Sequence, residues 1–314
     1  MDKVRAVAVD PGAKGRLVIK EFDAPTAQPS EALVRVKAIS INLGEVRNAL
    51  TEAPLGYRPG WDLAGVVERP AAIGTGPKPG ARVVGLVATG AWAELVAVPI
   101  TNLAEVPDGV SFAQAATLPV AGLTALYGLE RNGSILGRRV LITGASGGVG
   151  HFACQIARHA GAFVVAAIRR PEREKPAREW GAHEVVVGED LSPAARYGPY
   201  HMILESVGGA SLAAALGMLA TGGMCVLCGA SASPQATVEL RNLMRASGSL
   251  YGFYLMNEMA REPASRGLAR MLRMIEDGAV RPQIDVESPW IEIAAVADRL
   301  YRQRGITGKA VLTL

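Results

Sequence analysis

The stretch RRVLITGASGGVGH, Arg138 to His151, decides how the rest of the chain is read. An apolar run ends in a glycine turn, the turn opens GGVGHFACQIARHAGA with the spacing of a helix, and a second apolar run, FVVAAI, begins at Phe163. A glycine motif acquires meaning in that strand-helix-strand setting. The pattern G-x-x-G-G-x-G is a relative of the dinucleotide fingerprint, and it lacks the Lys-Ser or Lys-Thr pair that a Walker loop requires. Gly144 relieves the strand end, Gly147 and Gly148 let backbone approach a pyrophosphate, and Gly150 lets helix and sheet pack closely. The start of the helix adds unpaired N–H groups and a partial positive charge. The alternative is a glycine-rich turn that holds nothing.

Downstream of this stretch the alternation continues through PEREKPAREWGA, HEVVV, HMILESV, SLAAALGMLATGG and MCVLCGA. Such alternation of helical and almost wholly apolar strand segments predicts a doubly wound parallel sheet, covered on both faces. Upstream, FAQAATLPVAGLTALYGLERNG reads as a helical pair interrupted at Pro119. The first 110 or so residues are short β-like runs punctuated by glycine and proline, VRAVAV, EALVRVKAIS, AGVVERP, ARVVGLV and WAELVAVP, which predict a compact barrel or sandwich. After GSLYGFYL comes EPASRGLARMLRMIEDG, with Leu268, Met271, Leu272 and Ile275 on one helical face, and the chain closes with the strand KAVLTL. That tail is long enough to return and complete the first domain.

The end of FVVAAI should name the nucleotide. A site for NAD usually places Asp or Glu there to bind the ribose 2′-hydroxyl, whereas arginine suits a 2′-phosphate. Here Ile168 takes the acid's position, followed by Arg169, Arg170 and Arg173. Three cations at a helix start oppose the helix dipole and need another reason than solvation. The expected cofactor is NADPH.

Bulk properties bound the remaining choices. The 314 residues are 49% hydrophobic and 20% charged, enough for a sizeable core and two domains. The net charge of +4 is spread along the chain without a basic block, so no nucleic-acid partner is expected. MDKVRAVAVD has no signal-peptide pattern and no apolar run approaches a membrane span, so a cytoplasmic protein is expected. Cys225 and Cys228 spell C-x-x-C within an apolar strand, where positions three apart face opposite sides; they read as small buried residues rather than a metal or redox pair.

Taken together, GYRPGWDLAGVV, WAELVAVP, AATLPVAGLTALYGL, VLITGASGGVG and the closing TGKAVLTL resemble the medium-chain dehydrogenase/reductase superfamily, in its zinc-independent quinone oxidoreductase and enoyl reductase branch. The resemblance implies an α/β chain with a GroES-like β-barrel catalytic domain at 1–115 and 256–314, and a doubly wound Rossmann domain at 116–255. It sets Asn42 where zinc-dependent members carry a cysteine ligand and Asp62 where they carry a histidine, and the four-cysteine zinc lobe is missing. No metal is expected. The four histidines, His151, His159, His183 and His201, all fall in the nucleotide-binding half.

A hydride site without a metal can reduce a carbon–carbon double bond conjugated to a carbonyl, or a quinone, if the protein donates hydrogen bonds to the oxygen that gains charge. The resemblance puts Asn42 near substrate. Arg47 stands where many quinone reductases carry a tyrosine, and Tyr57 is a second donor candidate; each has a bland reading, as a helix cap, a surface arginine and a barrel-packing tyrosine respectively. Asp62 is expected to tie down backbone. The cofactor-side set is Thr124, Gly144, Ser146, Gly147, Gly148, Val149, Arg169, Arg170, Arg173, Gly229, Gly252, Phe253 and Tyr254. Alternatives are a zinc-independent carbonyl reductase and a nucleotide- or RNA-binding scaffold without turnover. Relatives are commonly homodimers, so a homodimer is expected.

Overall fold

A computed structural model describes residues 3–314. The chain forms two compact units. One comprises the N-terminal residues through Leu123 together with Glu262–Gly278 and Pro282–Leu314; the other comprises Thr124–Arg261 and Ala279–Arg281. The C-terminal segment Pro282–Leu314 belongs to the first unit.

The first unit is built on a seven-stranded sheet and a separate antiparallel hairpin, Lys3–Val9 with Leu17–Asp23. The long strand Glu31–Ile41 organises the sheet, pairing antiparallel with Asp62–Arg69, with Leu95–Pro99 and with the last strand, Lys309–Thr313. Burial alternates along it at its middle, as a strand with one face on a core requires, and turns continuous toward Ile41. The core draws Val34, Val36, Ile39 and Ile41 from this strand, Leu63 and Val67 from its neighbour, and Trp92 from the turn before Leu95. The helix Ala264–Glu276 buries Leu268, Met271 and Leu272, whereas Ile275, at its end, is only half-buried.

The second unit holds a six-stranded, wholly parallel sheet. Its order is Glu184–Val187, Phe163–Ile168, Arg139–Thr143, Tyr200–Glu205, Leu219–Leu227 and Ser249–Gly252. Strand order reverses between Arg139–Thr143 and Tyr200–Glu205, which makes the carboxyl ends of those two strands the place where such sheets bind ligands. The helix expected over SLAAALGMLATGG stops at Leu216, and the next strand starts at Leu219, earlier than MCVLCGA suggests. Leu219 and Ala220 are buried and Leu219 pairs with Tyr200, so a tertiary partner overrides a locally helical composition. The interrupted helical pair is a helix at Phe112–Ala116, a widened π-type turn at Leu118–Gly122 that absorbs Pro119, and a second helix at Leu123–Leu129.

Candidate functional site

The glycine turn sits at the switch point of the parallel sheet. Gly144 has φ +58°, and a Cβ there would stand 2.6 Å from Ser206 Oγ. A Cβ on Gly150 would stand 2.5 Å from both Ala145 Cα and the Gly144 carbonyl, so the first turn of helix Gly148–His159 lies directly on the loop backbone. Gly147 is the cap, its N–H donating to the Gly144 carbonyl at 2.9 Å. The N–H groups at the start of that helix, Gly148 and Val149 among them, have no intrahelical acceptor by construction. The result is a rigid cradle of donors suited to a diphosphate.

Side chains from the neighbouring strand end hold the cradle. Ser206 donates its N–H to Thr143 Oγ1 and its hydroxyl to the Thr143 carbonyl, both at 3.0 Å. Glu205 is fully buried and accepts from Thr143 Oγ1 (3.1 Å), the Gly208 N–H (2.9 Å), the Val207 N–H and the Ser211 hydroxyl (2.8 Å). Gly229 closes against the same loop, since a Cβ there would be 2.9 Å from the Ser206 carbonyl. Neither Glu205 nor Ser206 was a candidate from sequence. An acid at the end of an apolar strand was the available signal; three of its four donors follow within six residues, and the fold brings in the fourth, Thr143.

Ile168 is buried at the end of its strand, Arg169 is exposed, and Arg170 and Arg173 are half-buried. Arg173 donates to Ser146 Oγ at 3.2 Å, joining the arginine series to the glycine turn. Thr124 is buried in helix Leu123–Leu129. Gly252 ends the edge strand and faces open space, Phe253 is buried, and Tyr254 is exposed and precedes the short helix Leu255–Glu258. Cys225 lies in the sheet core, while the Cys228 thiol, just past the strand, donates to the Glu205 carbonyl at 3.3 Å; loss of hydration pushes it up to about 12, so it stays protonated.

The second group of polar residues belongs wholly to the first unit. Strand register creates it: Ser40 pairs with Asp62 on one side and with Val311 on the other, and Ala310 pairs with Ile41, so the next step places Lys309 beside Asn42. Asn42 caps helix Leu43–Thr51, and Glu45, three residues on, returns to accept the Asn42 backbone N–H at 2.7 Å in a capping box. The Asn42 amide is fully oriented. Its Oδ1 accepts from Lys309 Nζ at 2.5 Å, and its Nδ2 donates to Asp62 Oδ2 at 2.8 Å and Glu45 Oε1 at 3.0 Å. Asp62 also accepts the Ser40 hydroxyl at 2.7 Å and, through Oδ1, the Val120 N–H at 3.0 Å, so it does tie down backbone. Lys309 completes its three donors with the Ile41 carbonyl at 3.2 Å and Asp62 Oδ2 at 3.5 Å.

Glu45, Asp62 and Lys309 are all buried, two acids against one base. Burial first, and the neighbouring Asp62 charge second, push Glu45 up to about 8. Its Oε2 is buried and meets no hydrogen-bond partner among the described residues. Burial also lowers Lys309 from its ordinary value, against the pull of both acids. Three acceptors surround its nitrogen, the complement of an ammonium rather than of a neutral amine. Glu45 and Lys309 were not candidates from sequence, although N-L-G-E at Asn42–Glu45 carries the capping-box spacing.

The other two substrate-side candidates lie elsewhere in the same unit. Arg47 is exposed on helix Leu43–Thr51, and Tyr57 is half-buried against the barrel core, its carbonyl accepting the Val9 N–H at 2.9 Å. The hydrogen bonds of the Asn42 cluster include neither side chain.

Two family models match separate stretches of the chain. Residues 28–108 match the family model described as alcohol dehydrogenase GroES-like domain, and residues 148–272 match the one described as zinc-binding dehydrogenase. Human quinone oxidoreductase is 28% identical over 304 residues, covering 92% of this chain and 91% of that protein. The spectinabilin polyketide synthase system protein NorB of Streptomyces orinoci is 34% identical over 305 residues, 94% of this chain but 14% of that protein. Among solved structures, Escherichia coli quinone oxidoreductase complexed with NADPH superposes with a TM-score of 0.89 at 25% identity, covering 99% of this chain and 100% of that one. A doubly wound sheet with its glycine cradle, a barrel completed by the C-terminal strand and these matches along nearly the whole length carry one conclusion: the chain belongs to the medium-chain dehydrogenase/reductase superfamily, in its quinone oxidoreductase-like branch.

Proposed function

We propose that the chain is an NADPH-dependent, zinc-independent reductase of quinones or of carbon–carbon double bonds conjugated to a carbonyl. The observation that carries this reading is the glycine cradle at the sheet's switch point, joined to an arginine series through the Arg173–Ser146 hydrogen bond. The residues fit the cofactor. Backbone N–H groups of Gly148 and Val149 and the dipole of their helix would hold the diphosphate, and Arg169, Arg170 and Arg173 a 2′-phosphate. At Gly150 and Gly229 backbone packs against the loop more closely than a side chain would allow. When bound, NADPH supplies the hydride.

The residues do not fit zinc. Asn42 and Asp62, which take the positions of a cysteine and a histidine ligand, are an amide and a carboxylate already bridged by the Lys309 ammonium. Among the described residues no three His, Cys, Asp or Glu side chains gather to hold a metal. The protein must therefore stabilise the oxygen of the acceptor with hydrogen bonds and fixed charge. Arg47 and Tyr57 are the substrate-side donors of this reading, with Arg47 free to reach outward from the exposed face of its helix, while Asn42 is bonded within its own cluster.

The test is NADPH oxidation against a panel of quinones, enones and enoyl thioesters, the last kept in the panel by the match to a polyketide synthase segment. Turnover with at least one class is expected; inactivity with all of them despite NADPH binding overturns the reading. Arg169→Ala with Arg170→Ala should weaken NADPH by about 10- to 100-fold and NADH by much less, since charge-assisted bonds to phosphate are lost. Equal weakening would remove the 2′-phosphate role.

The edge strand Ser249–Gly252 leaves Leu250 exposed, and the preceding helix Leu240–Arg245 leaves Leu240 and Met244 exposed. An unpaired strand edge with apolar side chains supports assembly with a second copy. Leu250→Lys should shift sedimentation from dimer to monomer.

A further inference from the structure

We propose that Lys309 is a positioning residue of this enzyme: its buried ammonium is the fixed cation that locks Asn42 and Asp62 into one arrangement, with Glu45 as the proton-bearing partner whose ionisation disrupts it. The inference rests on the reductase reading above for its kinetic consequence, and on the cluster's geometry for everything else.

Three observations carry it. The ammonium lies between the Asn42 and Asp62 side chains, donating to Asn42 Oδ1 at 2.5 Å and Asp62 Oδ2 at 3.5 Å. With Oδ1 held by a cation, the amide can only turn its Nδ2 toward Asp62 and Glu45, as it does. Asn42 therefore has no donor left for a substrate, and its part is to hold the strand-to-helix corner at Ile41–Glu45 in a single geometry. The second observation is charge balance. One ammonium compensates one carboxylate, and Asp62, with four donors around it, has the surroundings that a carboxylate needs. The third is Glu45 Oε2, buried with no hydrogen-bond partner among the described residues, where a proton is tolerable and a bare negative charge is not. Its other oxygen already takes the Asn42 N–H and Nδ2.

Other charged groups on the packed elements are engaged elsewhere. Helix Ile293–Tyr301 packs on helix Leu43–Thr51 with buried Ile293, Val296 and Ala297, while its Asp298 pairs with Arg302 and its Arg299 with Asp285. Arg16 donates to the carbonyls of Ala49 and Ala53 at the far end of the same helix. Among the described residues, the charges that act on Glu45 are those of Asp62 and Lys309. When it loses its proton, the cluster carries an uncompensated buried charge beside Asp62 and the corner loosens.

The experiment compares wild type, Glu45→Gln, Lys309→Met and the charge-balanced double variant Lys309→Met with Asp62→Asn, using NADPH and the best acceptor from the panel. Wild-type kcat should fall about tenfold between pH 6.5 and pH 9, and Glu45→Gln should cut that ratio to less than twofold, whatever its absolute rate. Lys309→Met should lower kcat about 100-fold with the NADPH dissociation constant changed less than threefold, and the double variant should recover at least tenfold. The proposal is overturned if Glu45→Gln keeps the wild-type pH ratio, or if Lys309→Met retains wild-type kcat. Thermal unfolding of wild type and Glu45→Gln from pH 4.5 to 9 gives a readout independent of turnover. A wild-type decline that Glu45→Gln abolishes supports the titrating cluster even if no acceptor is reduced, in which case the reductase reading alone has failed; parallel curves overturn the cluster.

Discussion

Two buried carboxylates, Glu205 in the parallel-sheet unit and Glu45 in the barrel unit, are almost equally hidden from water and differently satisfied. Glu205 is surrounded by four donors from its own loop and the neighbouring strand, and no cation is needed among them. Glu45 shares its surroundings with a second acid and a lysine, and one of its oxygens finds no hydrogen-bond partner among the described residues. A carboxylate met by enough N–H and O–H groups is scaffold, because dipoles replace its hydration at fixed charge. An acid placed beside another acid is poised, because its protonation state becomes part of the local charge balance. The first arrangement stiffens a cradle; the second leaves a group that titrates in the range where enzymes work.

Removing the cation should break that contrast most severely. Lys309→Met leaves Asp62 buried without its ammonium, and should cost about 3–5 kcal/mol in urea unfolding at pH 7, with partial recovery when Asp62→Asn is added. Glu205→Ala should cost about 2–3 kcal/mol by the same measurement, since several donors lose their acceptor but no buried charge is orphaned. If the two losses came out in the reverse order, the distinction between dipole-satisfied and ion-balanced sites would fail for this protein.

The pH dependence should be smaller and more specific. Glu45 has an ordinary value of 4.5 and a folded value of about 8. Between those limits the native state keeps a proton that the unfolded chain has released, so stability falls as pH rises across that window and is flat above it. Glu45→Gln should remove this decline in a series of thermal melts. Cys228→Ala should have the smallest effect, within about 1 kcal/mol in urea, since it removes a weak thiol donor to the Glu205 carbonyl and leaves the carboxylate's donors in place.

Much of this was legible beforehand, for identifiable reasons. The parallel sheet follows from apolar runs alternating with helical spacing, and the cradle from glycines whose missing Cβ atoms are needed at Gly144 and Gly150. Arg173 was legible as a cation near the turn, but its bond to Ser146 was not. The strand beginning at Leu219 was missed because a composition of Leu, Ala, Thr and Gly has no period of its own; pairing with Tyr200 decided it. Asn42 was found as a residue and its bonding was not. Its partners stand 3, 20 and 267 positions away, and of these only Glu45 lies within reach of a local pattern.

The sequence by itself therefore determined the two architectures, the place of the glycine cradle and the arginines beside it, because periodicity and backbone sterics act over a few residues. Only the tertiary structure decided what Lys309 does. A lysine at the head of an apolar strand reads as a solvated strand end until antiparallel register sets it opposite Asn42 and one strand from Asp62. Once there, it is withdrawn from water and its charge has to be answered by whatever the register has placed around it.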